Sequence, residues 1–174
     1  PPRSTPLYSS AASDVYKRQL LDVAEHLPTK YNLLIVGIGP DEEKVRNVSD
    51  SKINVHYLGH QSKENTISLI RGSDLLIQPS IMEGISSTLL EAMGCGTCII
   101  ATNVGGNTEI LDNDKTGILI EPNNAEKFLN KISDLLTDNE RRSMMIAESL
   151  KAVVKYDWEQ VGKIYLDAYE DLLH

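Results

Sequence analysis

The chain has 174 residues, of which 41% are hydrophobic and 24% charged, a balance typical of one globular domain. Its net charge of −8 argues against a nucleic-acid partner, because such binding uses a basic face to displace counterions from phosphates. No apolar run approaches the roughly 20 residues that span a bilayer, and two cysteines are too few for a disulfide-based fold. We therefore predict a cytoplasmic protein, with work at the inner membrane face left open.

The first nineteen residues, 1–19, are rich in turn formers and have no apolar period. They resemble translated cloning or adapter sequence. We therefore predict a leader that is non-native or disordered and takes no part in the fold. The predicted domain covers residues 20–174.

Strand-like and helix-like segments alternate from residue 20 onward. A first amphipathic helix ends at Pro28, and a second begins after Pro40 with acidic residues in its first turn. The predicted strands are short apolar runs, as expected for strands buried on both faces, at 33–36, 55–58, 75–77, 98–101 and 118–120. Later helices are predicted at 62–71, 86–93, 107–111, 125–136, 139–154 and 158–173. This alternation predicts an α/β fold: a doubly wound, Rossmann-like parallel sheet with extra C-terminal helices.

Ligands bind such sheets at the carboxyl ends of the strands, where this chain has glycine-rich or polar turns. The turn at 79–87 is the most informative, because Glu83 and Glu91 flank a segment that leads into a helix. The free amides and the dipole of a helix start favour an anion, and carboxylates accept hydrogen bonds from hydroxyl groups. The segment therefore suits a nucleotide-diphosphate sugar, with phosphates on the amides and a sugar at either side.

Local alternatives stay open for these residues. Thr88 and Glu91 have the spacing of a capping box, in which Glu91 returns to its own helix start. Gly37 and Gly39 lack the third glycine of a dinucleotide-binding fingerprint. His60 either rims the site or is a solvated loop histidine.

Two cysteines and a tryptophan have competing interpretations. Cys95 and Cys98 have the spacing of a redox pair, but a helix-to-strand turn also explains them. Trp158 is predicted to be a packing anchor for the last helix. No His or Asp cluster has metal-ligand spacing, so no metal is predicted.

The run 79–110 resembles the core block of the retaining glycosyltransferases of family four, which have the GT-B fold. Glu83 and Glu91 match the E-x7-E signature of that family. Further similar segments lie at 36–40, 55–59 and 158–169. The likeness runs from about residue 20 to the end. It implies the C-terminal, donor-binding half of a GT-B enzyme: a fragment that lacks its N-terminal acceptor domain.

The resemblance assigns roles to the site residues. Glu83 would hold hydroxyls of the donor sugar as the catalytic residue, and Glu91 would bind the ribose. Sugar and pyrophosphate oxygens would be held by the amides of Gly84, Ile85, Ser86, Ser87 and Thr88. The base pocket would be lined by Gly37, Gly39, Gly59 and His60. The implied donor is a UDP- or GDP-sugar, used without a cofactor or metal, in bacterial polysaccharide biosynthesis.

The resemblance has further consequences and two departures. A glycan or lipid-linked acceptor would bind through the missing domain, and the parent protein would associate with a membrane peripherally, if at all. The last helix would pack on that domain, leaving Val161, Tyr165 and Tyr169 under-buried here. The Arg and Lys that the family places on the diphosphate have no match, since Lys17 and Arg18 are out of pattern. Cys98 stands where the family usually has proline.

Three other functions compete with glycosyl transfer. One is a sugar-nucleotide epimerase of similar build. A nicotinamide-binding oxidoreductase would need an acid after the second strand, where Gly59 and His60 supply none. The third is a non-catalytic nucleotide-sugar-binding module, which is how the fragment alone is expected to behave.

Overall fold

The computed structural model describes residues 6–10 and 16–173. The strands are β1 (Pro6–Ser10), β2 (Asn32–Val36), β3 (Val55–Gly59), β4 (Leu75–Gln78), β5 (Cys98–Thr102) and β6 (Ile118–Ile120). The helices are α1 (Tyr16–His26), α2 (Glu42–Ser51), α3 (Lys63–Arg71), α4 (Ser87–Cys95), α5 (Asn107–Ile110), α6 (Ala125–Thr137), α7 (Asn139–Val153) and α8 (Trp158–Leu173), with a 3₁₀ helix at Val154–Tyr156. Within the described residues, the strands form one parallel sheet in the order β3-β2-β1-β4-β5-β6.

The predicted α/β architecture is confirmed, and the strands and helices after α1 lie within about two residues of their predicted bounds. The predictions succeeded because each of the five predicted strands is a short apolar run. All residues of β4 and β5 are buried. Burial on both faces is the environment that such runs indicate.

One prediction about the domain bounds is wrong. Pro6–Ser10 forms β1, which lies at the centre of the sheet between β2 and β4. The helix α1 begins at Tyr16, and Gln19 is buried. The polar composition of 1–19 concealed a strand whose proline occupies the first position, where no hydrogen bond of the ladder is lost. That these residues are non-native stays a prediction, and residues 1–5 and 11–15 lie outside the described part.

Two apolar cores cover the faces of the sheet. Alternate residues of a strand enter different cores, as in β4, where Leu75 and Ile77 enter one core and Leu76 enters the other. The first core includes Phe128 of α6, and the second includes Leu89 of α4. Complete burial of a side chain of this size contributes about 1.5–3 kcal/mol. These layers fix the helix that carries the predicted phosphate site against the sheet.

The last helix, α8, is not covered by the rest of the described chain. Trp158 is 87% exposed, so the prediction that it anchors the helix by packing is wrong. The expected under-burial of Tyr165 and Tyr169 is confirmed, since both are more than half exposed. Val161, for which the same was expected, is partly buried. None of the helices in the described residues combines the length and apolarity needed to cross a membrane.

Candidate functional site

The turns after β2 and β3 contact each other at the carboxyl edge of the sheet. The amide of Gly37 donates to the carbonyl of Gly59 at 2.8 Å, and the Tyr57 hydroxyl donates to the carbonyl of Gly37 at 2.8 Å. Gly37 has a φ of 119°, a conformation that other residues rarely adopt. Gly39 is half-buried, and His60 is exposed. The structure thus brings the predicted base-pocket turns together.

Glu83 is held by polar side chains from the end of β4. Its Oε1 accepts hydrogen bonds from Gln78 Nε2 at 2.9 Å and from Ser80 Oγ at 2.7 Å. Gln78 and Ser80 are buried, so this side of the carboxylate is shielded from water. Oε2 has no hydrogen-bond partner among the described residues. Sequence reasoning missed Gln78 and Ser80, although a glutamine that ends an apolar strand was a signal of a buried polar contact.

The helix α4 begins with two amides that point to no partner. Ser86 is its N-cap, and the Ser86 Oγ accepts a weak hydrogen bond from the amide of Leu89 at 3.4 Å. Within the described part of the chain, the amides of Ser87 and Thr88 make no hydrogen bond. Gly84 and Ile85, just before the cap, are exposed. The helix start is therefore open to an anion, as predicted from its amides and dipole.

The capping-box interpretation of Glu91 is wrong. The cap is Ser86, so Thr88 lies inside the helix, and the Glu91 carboxylate instead forms an ion pair with Lys63 at the start of α3. The Glu91 side chain is only 17% exposed, whereas that of Lys63 is 66% exposed. Lys63, Ser87 and Glu91 line one cavity of about 610 Å³. Sequence reasoning missed Lys63 because only the tertiary fold brings α3 and α4 together.

The turn after β5 packs against the loop that carries Glu83. The amide of Gly106 donates to the carbonyl of Glu83 at 3.1 Å. A Cβ at Gly106 would lie 1.9 Å from the carbonyl oxygen of Gly84, and one at Gly105 would lie 2.1 Å from that of Glu83. Both positions therefore exclude a side chain. The sequence placed these glycines in the family-like block without a role, and the structure supplies one.

The two cysteines do not form a redox pair. Both are free; Cys98 is buried with its Sγ 4.0 Å from the Sδ of Met145, and Cys95 is partly buried. Burial raises the pKa of the Cys98 thiol to about 11. A thiol that stays protonated at neutral pH is a poor nucleophile.

Among the described residues, no group of three or more His, Cys, Asp or Glu side chains is arranged to hold a metal. The segment 11–15 between β1 and α1 contains no Lys or Arg, and Lys17 and Arg18 follow within the first turn of α1. Lys63 is a basic side chain near the predicted site, and it is paired with Glu91, a predicted donor-binding residue.

The sequence profile described as glycosyl transferases group 1 matches residues 11–152. The chain belongs to this family. It is 30% identical over 159 residues to an uncharacterized glycosyltransferase of Methanocaldococcus jannaschii, covering 88% of this chain and 40% of that protein. It is 29% identical over 162 residues to the N,N'-diacetylbacillosaminyl-diphospho-undecaprenol alpha-1,3-N-acetylgalactosaminyltransferase of Campylobacter jejuni, covering 90% and 41%. The chain thus spans about two fifths of the length of these relatives.

Solved structures confirm the fold as one half of a GT-B protein. Anabaena HepE in complex with UDP-glucose superposes with a TM-score of 0.85 at 18% identity, over 97% of this chain and 49% of that one. The C-terminal domain of LpcC, a glycosyl transferase group 1 family protein of Francisella tularensis, superposes with a TM-score of 0.76 at 20% identity, over 88% and 87%. The second structure is a C-terminal domain by itself.

Proposed function

We propose that the chain is the donor-binding domain of a retaining glycosyltransferase of family four. In the complete protein, this domain would bind a nucleotide-diphosphate sugar, and the enzyme would transfer its hexose to a glycan or lipid-linked acceptor. The observation that carries the proposal is the open start of α4, set between two carboxylates. Family membership and the UDP-glucose bound by the structurally similar HepE support a nucleotide-sugar donor.

Each part of the donor has a partner in this arrangement. The amides of Ser87 and Thr88 hold pyrophosphate oxygens, and they stabilise the negative charge that grows on the diphosphate as its bond to the sugar breaks. Glu83 accepts hydrogen bonds from sugar hydroxyls through its unpartnered oxygen, and Glu91 accepts them from the ribose. The acceptor oxygen then bonds to the anomeric carbon on the face that the diphosphate leaves, and the proton of the acceptor hydroxyl passes to an oxygen of the departing nucleoside diphosphate.

The acceptor site belongs to a second domain in this proposal. The chain spans about two fifths of the relatives described above and 49% of HepE. The Campylobacter relative is named for a substrate linked to diphospho-undecaprenol, which supports a lipid-linked acceptor and a complete protein that meets its substrate at a membrane surface. We expect the isolated chain to bind donor and to transfer nothing.

Calorimetric titration of the 174-residue chain with UDP, GDP and UDP-glucose tests the proposal. We expect one saturable site, selective for either UDP or GDP. The corresponding monophosphate should bind more weakly, because it lacks the second phosphate that would contact the start of α4. NADH serves as the control for the oxidoreductase alternative and is expected not to bind. A folded chain that binds neither UDP nor GDP would overturn the proposal.

A further inference from the structure

We propose that Lys63 is a donor-positioning residue, which holds the Glu91 carboxylate in the orientation that receives the ribose. This inference rests on the proposed function and deepens it. It assigns a role to a side chain that neither the E-x7-E signature nor the glycine-rich turns include.

The geometry of the pair carries the inference. Lys63 is the first residue of α3, and its Nζ donates to Oε1 of Glu91 on α4. The start of α3 is itself fixed, because Ser62 Oγ accepts a hydrogen bond from the amide of Asn65 at 3.2 Å. Glu91 Oε2 has no partner within the part of the chain that the structure describes. A carboxylate has acceptor sites on both oxygens, so Lys63 and a ribose hydroxyl bind it at the same time.

The charges around the Lys63–Glu91 pair suggest why the lysine matters for donor binding. The chain carries a net charge of −8, and residues 11–15, which follow β1 in the sequence, include no Lys or Arg. An unpaired Glu91 would therefore present a free negative charge in the cavity that Ser87 also lines, close to the proposed diphosphate. Lys63 neutralises this charge and restricts the carboxylate to one rotamer. Because Lys63 is largely exposed, salt screens the pair, and the effect on affinity is modest.

A double-mutant cycle tests the proposal on the intact chain. Lys63→Gln, Glu91→Gln and the double variant are titrated with UDP and with 2′,3′-dideoxy-UDP, which lacks the ribose hydroxyls. We expect Lys63→Gln to weaken UDP binding by about two- to fivefold, the range that an exposed ion pair supports. It should have no further effect in the Glu91→Gln background. Its effect on the dideoxy analogue should be smaller than on UDP, because only the repulsion between the unpaired Glu91 and the diphosphate remains there. A merely structural role would weaken both ligands equally.

Two further variants complete the design. Lys151→Gln is the matched control, since Lys151 also forms an exposed ion pair, with Glu148 at 2.6 Å on α7. Lys63→Arg keeps the charge and should retain most of the affinity. Unchanged or tighter UDP binding by Lys63→Gln, or equal losses with and without Glu91, overturns the inference while leaving the proposed function intact. If the unsubstituted chain binds no nucleotide, the proposed function fails and this inference falls with it.

Discussion

The amide of Gly106 donates to the carbonyl of Glu83 at 3.1 Å, joining the turn after β5 to the loop after β4. The contact leaves no room for a side chain on the glycine, because a Cβ there would lie 1.9 Å from the carbonyl oxygen of Gly84. Gly106, which is remote from Glu83 in the sequence, thus fixes the position of the loop that carries Glu83. Gln78 and Ser80 in turn donate hydrogen bonds to the Glu83 carboxylate.

Gly106→Ala should disturb the site through this contact. Its φ of −63° suits alanine, so steric overlap alone is expected to destabilise the fold, by about 1–3 kcal/mol. Urea unfolding measures the loss, and calorimetry should show weaker UDP binding. Gly94→Ala is the control: a Cβ at Gly94 on α4 meets nothing within 4 Å, and helix propensity predicts stabilisation by about 0.5–1 kcal/mol. Normal stability and affinity of Gly106→Ala would show that the two turns adjust independently.

Glu91→Gln and Glu83→Gln should affect different parts of the donor. Glu91→Gln is expected to weaken UDP and UDP-glucose alike, by about 1–3 kcal/mol, the cost of losing a hydrogen bond to a charged group. Glu83→Gln should leave UDP affinity unchanged and reduce only the difference between UDP-glucose and UDP. Parallel calorimetric titrations separate the two effects. The role assignments are wrong if Glu83→Gln weakens UDP itself or if Glu91→Gln leaves both ligands unaffected.

Cys98 should make the fold less stable in alkali. Burial raises its pKa from the ordinary value of 9.0 to about 11 in the folded chain. The unfolded chain loses this proton first, so stability contributed by the protonated thiol is complete below about pH 9 and is lost as the pH rises through 11. Cys98→Ala should therefore show a smaller decline in unfolding free energy between these pH values. Tyrosines and lysines titrate in both proteins, so the difference between their slopes of unfolding free energy against pH isolates the effect of Cys98. Equal slopes would refute the raised pKa of Cys98.

Removing α8 should leave the remaining domain as stable as before. Five of its apolar side chains, Ile164, Tyr165, Leu166, Tyr169 and Leu172, are more than half exposed, so few buried contacts would be lost. A chain that stops at Asp157 is expected to keep its melting temperature and to scatter less light at high concentration, because an exposed apolar face promotes association. A chain that stops before Val153, which packs against the second core, is the control and should melt earlier. A lower melting temperature for the first truncation would mean that α8 contributes to this fold.

Sequence reasoning succeeded where local pattern decides structure. The buried runs of β4 and β5 specified their strands, and the E-x7-E spacing located Glu83 and Glu91 around a helix start. It failed where the fold supplies the partner: Lys63 meets Glu91 across two helices, and Gly106 meets Glu83 across two turns. It also failed for Pro6–Ser10, because pairing on both sides, rather than composition, makes that segment a strand.

A crystal structure of the chain soaked with UDP-glucose tests the account most directly. We predict the pyrophosphate against the amides of Ser87 and Thr88, a ribose hydroxyl on Glu91 Oε2, and glucose hydroxyls on Glu83. A nucleotide bound elsewhere, or a pyrophosphate away from the start of α4, would contradict the claim that this helix start is the donor site.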